Sequence, residues 1–119
     1  MLHDIQPMPL VSVIINTYNS ATYLGDAIRS VLSSDYQNFE LIVWDNQSTD
    51  DTKNLVALFQ DSRLQYIYAP RHTELGEARN LALDHVHGEY VGFCDADDMW
   101  GPQKISKQVA FFQTHPLTV

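Results

Sequence analysis

The sequence predicts an α/β fold: a mostly parallel sheet flanked by helices on both faces. Two observations lead there. Four short apolar runs, at residues 10–15, 39–44, 64–68 and 90–94, are each followed by a segment whose apolar residues recur at helical spacing. Strand and helix in strict alternation make a parallel sheet, because consecutive parallel strands need a crossover and a helix supplies it. The chain also shows no internal repeat, low-complexity tract or long linker, and 119 residues suit one domain that buries roughly two-thirds of its unfolded surface.

The elements follow in order. Leu10-Val11-Ser12-Val13-Ile14-Ile15 is the first strand and ends at Asn16-Thr17-Tyr18-Asn19. A helix over residues 21–33 places Ala21, Leu24, Ala27, Ile28, Val31 and Leu32 on one face. Phe39-Glu40-Leu41-Ile42-Val43-Trp44 is the second strand, ending at Asp45-Asn46-Gln47. Ser48-Thr49-Asp50-Asp51 has the spacing of a capping box and opens a helix with Leu55, Val56, Leu58 and Phe59 as its apolar face. Residues 64–68 form the third strand, and Ala69-Pro70-Arg71-His72 loops to Thr73, the N-cap of a helix reaching about residue 87. Leu75, Ala78, Ala82 and Val86 line that helix, and Gly88 ends it as a C′ glycine. Residues 90–94 are the fourth strand. Pro102 suits the first turn of a last helix with Ile105, Val109 and Phe112 inward. Residues 1–9 read as a lead-in and 114–119 as a frayed tail.

Composition narrows the function. Fifteen acids against seven Lys and Arg give a net charge of −8, the opposite of a nucleic-acid-binding footprint. An acidic protein that binds an anionic ligand benefits from a bridging cation. The single cysteine, Cys94, excludes an intrachain disulfide and sits in an apolar run as a core thiol. No stretch approaches the ~20 apolar residues of a membrane span, and the first residues lack the features of a signal peptide. A cytoplasmic protein without a transmembrane segment is expected.

Ligands of open α/β sheets bind at the carboxyl ends of the strands. Three such ends are polar here: Asn16-Thr17-Tyr18-Asn19, Asp45-Asn46-Gln47-Ser48 and Asp95-Ala96-Asp97-Asp98. No Gly-x-Gly-x-x-Gly follows the first strand and no Gly-Lys-Ser/Thr occurs, which disfavours a dinucleotide cofactor and excludes a P-loop. Phosphate is left to a metal, to helix N-termini, or to basic groups such as Arg79 and Arg71. In extended chain Asp95 and Asp97 project to the same side, about 6.5–7 Å apart. That pattern suits a hard divalent cation, and it also suits a solvated acidic turn. His85 and His87 lie near a helix end and read as surface residues.

Four ordered segments resemble glycosyltransferase family 2, the inverting enzymes of the GT-A fold, over residues 9–108. They are Val11-Ser12-Val13-Ile14-Ile15-Asn16-Thr17-Tyr18-Asn19, Trp44-Asp45-Asn46-Gln47-Ser48-Thr49-Asp50-Asp51-Thr52, Gly76-Glu77-Ala78-Arg79-Asn80, and Gly88-Glu89-Tyr90 through Trp100. The resemblance implies a nucleotide-sugar site in which Thr17, Tyr18 and Asn19 lie beside the nucleoside, Asp45 accepts from the base, and Arg79 faces the nucleotide. It implies that Asp95 approaches the ribose or the metal's water shell, that Ala96 lies at the nucleotide, and that Asp97, with Asp95, holds Mn2+ or Mg2+ in an Asp-x-Asp motif. Asp98 is expected to cap the next helix or to support the site from behind, and Trp100 to pack. The implied reaction is transfer of a sugar from a nucleotide sugar, with UDP favoured, to a hydroxyl of a glycan or lipid-linked acceptor. Two positions depart from the family pattern: Asn16 stands where proline is frequent, and Asn46-Gln47 replace the common Asp-Gly.

In this family the general base and the acceptor site lie well downstream of the Asp-x-Asp motif. No matching segment is found before Val119, so a truncated donor-binding domain is expected, inactive alone and open to homo-oligomerisation through exposed apolar surface. A non-catalytic nucleotide-sugar binding module is the alternative reading.

Overall fold

The computed structural model describes residues 8–115; the lead-in and tail at residues 1–7 and 116–119 lie outside the described residues. Eight elements alternate without exception: β1 (Val11–Thr17), α1 (Ala21–Leu32), β2 (Phe39–Asp45), α2 (Thr52–Ala57), β3 (Leu64–Tyr68), α3 (Leu75–Leu83), β4 (Tyr90–Phe93) and α4 (Lys104–Thr114). All four strands are parallel, in the order β3-β2-β1-β4.

β1 is interior to the sheet, and its side chains alternate between two cores. Val11, Val13 and Ile15 pack with Leu24, Ile28 and Val31 of α1, Val56 of α2, and Ile105 and Val109 of α4. Ile14 turns to the other face, where Ile42 and Trp44 meet Ala78 and Ala82 of α3. Each fully buried Ile, Leu or Val contributes about 1.5–3 kcal/mol over leaving it in water. Among the described residues three helices therefore cover one face and α3 alone covers the other, as the α/β reading expects. Among the described residues no helix is long and apolar enough to cross a membrane.

The helix boundaries differ from expectation where loops bond to each other. Asp50 closes no capping box. Its Oδ1 accepts from the backbone and hydroxyl of Thr52, its Oδ2 accepts from the backbone N–H of Ala21 at 3.2 Å, and α2 starts only at Thr52. The helix is consequently short, and Leu58 beyond it is exposed instead of lining an apolar face. Thr73 is not an N-cap: its backbone is held by Asn46, and α3 begins at Leu75, which is exposed.

α3 also ends at Leu83, four residues early, and Gly88 is no left-handed cap. Close approach explains that glycine. A Cβ there would stand 2.7 Å from Leu10 O and from Ser12 N, and Gly88 N donates to Ser12 Oγ at 2.8 Å.

The rim opposite the polar strand ends is tied by Glu40. It accepts from Ser12 Oγ at 2.5 Å and from His87 N at 2.7 Å, with His87 Nδ1 at 3.0 Å. His87 is thus an exposed residue with a partner, and His85 packs on Trp44 at 5.7 Å. Burial works to raise the Glu40 carboxyl, and the bonds from Ser12 and His87 outweigh it, so it titrates below its ordinary value. Nearby, hydrogen bonds from Arg63 hold Asp61 at about 2, against an ordinary 3.8. Arg63 itself lies 4.2 Å over the Phe39 ring.

Two outcomes follow. Gly88→Ala is expected to cost about 1–3 kcal/mol by forcing the helix exit off β1, read by urea denaturation. Both carboxyls have depressed folded values, so their stabilisation is complete above the unfolded carboxylate range and disappears as pH falls through the folded values. The thermal midpoint should drop progressively from about pH 5 toward pH 2, and Asp61→Asn should flatten the lower part of that profile.

Candidate functional site

The opening of the site is a matter of register. β1 pairs with β2 as far as Thr17↔Asp45, but with β4 only as far as Ile14↔Phe93. Cys94 N still donates to Ile14 O at 2.9 Å, after which the chain leaves the sheet and Asn16-Thr17 lose their neighbour on that side. From β1 the chain proceeds to β2 and β3 on one side and returns to β4 on the other, so this crevice is the switch point where open α/β sheets take ligands.

Around it the first two loops are stitched together. Asn19 has left-handed backbone (φ 48°), donates from its N–H to Ser48 Oγ at 2.8 Å, and accepts on Oδ1 from Thr49 N at 2.7 Å and Asp50 N at 3.3 Å. Asp45 is fully buried and its carboxylate is engaged on both oxygens, by Ser48 N at 2.8 Å and the Tyr66 hydroxyl at 2.5 Å. Burial, and then that carboxylate, push the Tyr66 phenol far above its ordinary value, so it remains a donor. Gln47 occupies a second left-handed position (φ 67°), one a glycine takes without strain, and its Nε2 donates to Ala69 O at 3.1 Å. Asn46 clasps the chain after β3: Nδ2 donates to Thr73 O at 2.7 Å and Oδ1 accepts from Thr73 N at 3.0 Å.

That clasp shapes a cavity of about 370 Å³ whose lining includes Asn16, Thr17, Tyr18, Asn46, His72 and Thr73. Tyr18 is half-exposed, its ring 4.6 Å from that of His72, and His72 Nδ1 meets Asn46 O at 2.9 Å. Asn46 lies in the second polar strand end, whereas His72 and Thr73 belong to no motif that marked them as site residues. The third strand also ends at this rim, and applying the strand-end rule to Tyr68-Ala69 would have pointed to the loop that follows.

On the far side of the crevice, Arg79 of α3 stands 3.6 Å from Asp95, with its guanidinium 5.1 Å from the Phe93 ring. The sequence expectation placed these two residues in one site, and the fold brings them together. Arg71 instead pairs with Glu77 at 2.6 Å on the surface. Asp98 N donates to Asp95 O at 3.0 Å, which closes a turn around Ala96 and Asp97. Asp98 does not cap α4. Its Oδ1 accepts from Met99 N at 2.8 Å, and α4 begins after Gln103 with no side-chain cap. Trp100 packs, its backbone N–H donating to Ser30 Oγ at 3.0 Å and Lys104 Nζ lying 5.2 Å from its ring. Burial, and then the Asp98 and Asp95 charges, push the Cys94 thiol up to about 12, so it is no nucleophile.

Asp97 is exposed, and its carboxylate accepts no hydrogen bond among the described residues. No group of three or more His, Cys, Asp or Glu side chains that could hold a metal occurs among the described residues.

The sequence model of Glycosyl transferase family 2 matches residues 12–119. The chain belongs to that family. Family 2 relatives include TuaG of Bacillus subtilis (strain 168), 38% identical over 105 residues, or 87% of this chain and 42% of TuaG. Another is WfaP of Escherichia coli, a UDP-Glc:alpha-D-GlcNAc-diphosphoundecaprenol beta-1,3-glucosyltransferase, 40% identical over 107 residues (90% of this chain, 43% of WfaP). The chain thus spans about two-fifths of the length of these two relatives. Among solved GT-A structures, S. aureus TarS 1-349 in complex with UDP-GlcNAc superposes with TM-score 0.82 at 32% identity, over 88% of this chain and 31% of that one. The mannosyltransferase PcManGT from Pyrobaculum calidifontis, in complex with GDP-Man and Mn2+, gives 0.82 at 29% identity, over 92% and 35%.

The Asn46 clasp yields a direct expectation for this family 2 chain. Asn46→Ala leaves the buried backbone groups of Thr73 unpaired and should cost about 1–3 kcal/mol in urea denaturation.

Proposed function

We propose that this chain binds the donor in a glycosyltransferase that moves a sugar from a nucleotide sugar, a UDP-sugar in the first instance, to a hydroxyl of a glycan or lipid-linked acceptor with inversion. The observation that carries this reading is the meeting of Arg79 and Asp95 at the crevice, beside a cavity with polar walls at the switch point of the sheet. Family membership supports it, as do the nucleotide sugars held by TarS and PcManGT and the lipid-linked acceptor in the name of WfaP.

In this reading Thr17, Tyr18 and Ala96 line the nucleotide. The Tyr18 ring offers a planar base an aromatic face. Arg79 exchanges Asp95 for the diphosphate, whose paired oxygens suit its planar fork. Asn19 and Asp45 fix the loops that carry these groups, since their side chains are already bonded to the chain. Asp97, with Asp95, would hold Mn2+ or Mg2+, and the ion would supply positive charge to the departing diphosphate. A carboxylate base would take the proton of the acceptor hydroxyl as it attacks.

Calorimetric titration of UDP with and without Mn2+ tests this. Affinity should rise with the metal, and Asp97→Ala should weaken metal-dependent binding by at least about tenfold, or about 1.4 kcal/mol. Binding of UDP that is indifferent to Mn2+ would remove Asp97 and the metal from the scheme.

A further inference from the structure

We infer that Ser30 of α1 is a positioning residue for the acidic turn: its hydroxyl anchors the point where that turn rejoins the fold, and donor affinity depends on the anchor. The inference rests on the donor-site reading above. The turn has little of its own to hold it in place. Asp95, Asp97, Asp98 and Met99 are exposed, and within residues 95–99 only Ala96 packs partly against the core. The bonds from Asp98 N to Asp95 O and from Met99 N to Asp98 Oδ1 give the turn a shape but tie it to no other element. Arg79 and Asp95 meet in solvent, with side chains 39% and 69% exposed, and an ion pair of that kind holds little. Where the turn stands is decided at its two ends.

The entry is fixed by the sheet, through Cys94 N on Ile14 O at 2.9 Å. The exit is fixed by Trp100. Its indole folds back over the strand that the chain has just left: a Cβ at Gly92 would stand 3.0 Å from the ring's Cη2, so the ring lies where the strand carries no side chain. Its backbone N–H donates to Ser30 Oγ at 3.0 Å, and the Ser30 hydroxyl donates in turn to Ala27 O at 2.7 Å. A hydroxyl has one proton and two lone pairs. With the proton committed to Ala27, Ser30 Oγ faces Trp100 as the acceptor that its N–H requires. Two residues on, Pro102 O accepts from Asp35 N at 2.8 Å, so the connection after α1 grips the chain a second time.

Ser30 reaches the site only through this bond, since no residue of α1 lines the cavity among the described residues. Without its oxygen the Trp100 N–H loses its acceptor and the exit rests on ring packing. The exposed turn then shifts Asp95, Ala96 and Asp97 against Arg79. A binding constellation works only while its members stay within about 0.5 Å of their productive places. Alanine at position 30 is the better helix former, so the loss falls on the turn and not on α1.

The test is calorimetry of UDP, with Mn2+, on the 119-residue chain and on its Ser30→Ala, Ser30→Thr and Gly88→Ala variants. Gly88→Ala strains the fold beside Leu10 and Ser12, away from the turn. Ser30→Ala should weaken UDP by about fivefold, while Ser30→Thr, which keeps the hydroxyl, and Gly88→Ala should stay within about twofold. Amide hydrogen exchange, read residue by residue, supplies the local signature. In Ser30→Ala exchange at the Trp100 N–H should quicken by about tenfold, while the Ile14 and Val43 amides inside the sheet keep their rates. UDP affinity within about twofold in Ser30→Ala, a loss that Ser30→Thr does not recover, an equal loss in Gly88→Ala, or unchanged exchange at Trp100 overturns the inference and leaves the donor site standing. Failure of the unsubstituted chain to bind UDP overturns the donor-site reading and the inference with it.

Discussion

β1 runs three residues farther than the strand beside it. Its pairing with β2 continues to Thr17↔Asp45, while its pairing with β4 stops at Ile14↔Phe93. That mismatch leaves one edge of a central strand unpaired at the carboxyl rim. Backbone and side-chain polar groups exposed along such an edge must be met by loops, water or ligand. The loop after β2 meets part of the demand, with Asn46 N donating to Thr17 O at 2.9 Å. The rest defines the crevice, and the acidic turn and Arg79 stand along it because β4 departs early.

A second layer of order comes from side chains that bond to backbone far away in sequence. Asn19 to Thr49, Asp50 to Ala21, and Asn46 to Thr73 each join two loops across roughly thirty positions. These bonds rigidify the rim, and Asn46 both lines the cavity and holds its wall in place. They also explain why the left-handed residues Asn19 and Gln47 are tolerated: each takes a strained backbone position and receives a long-range hydrogen bond there.

Local sequence pattern carried most of the architecture. Val13, Ile14 and Ile15 form a run that is fully buried on both faces, as an interior parallel strand requires, and Leu24, Ala27, Ile28 and Val31 lie on the face of α1 that their spacing indicates. What the pattern missed is nonlocal. Thr73 has the composition of a helix cap and Asp50 that of a capping box, yet each is claimed by a partner in another loop. Gly88 has the position of a helix terminator, but it is there because β1 passes too close for any side chain. The site was legible to the extent that motifs mark it: Arg79 and Asp95 stand out in sequence and meet in space. His72 carries no motif, and Asn46 stands in a polar strand end with no role assigned to it; only the fold shows that they wall the cavity.

The thin cover on one face of the sheet has a consequence for how this chain can vary. α3 lies on β1 and β2 through Ala78 and Ala82, both essentially without solvent exposure, and it is the one helix packed on that face among the described residues. Ala78 also lines the cavity, and the next residue along the helix is Arg79. The helix behaves as a lever whose fulcrum is a pair of methyl groups. A larger residue at the fulcrum would lift the helix from the sheet and swing the guanidinium away from Asp95, so drift in what looks like inert packing would retune the charge at the rim.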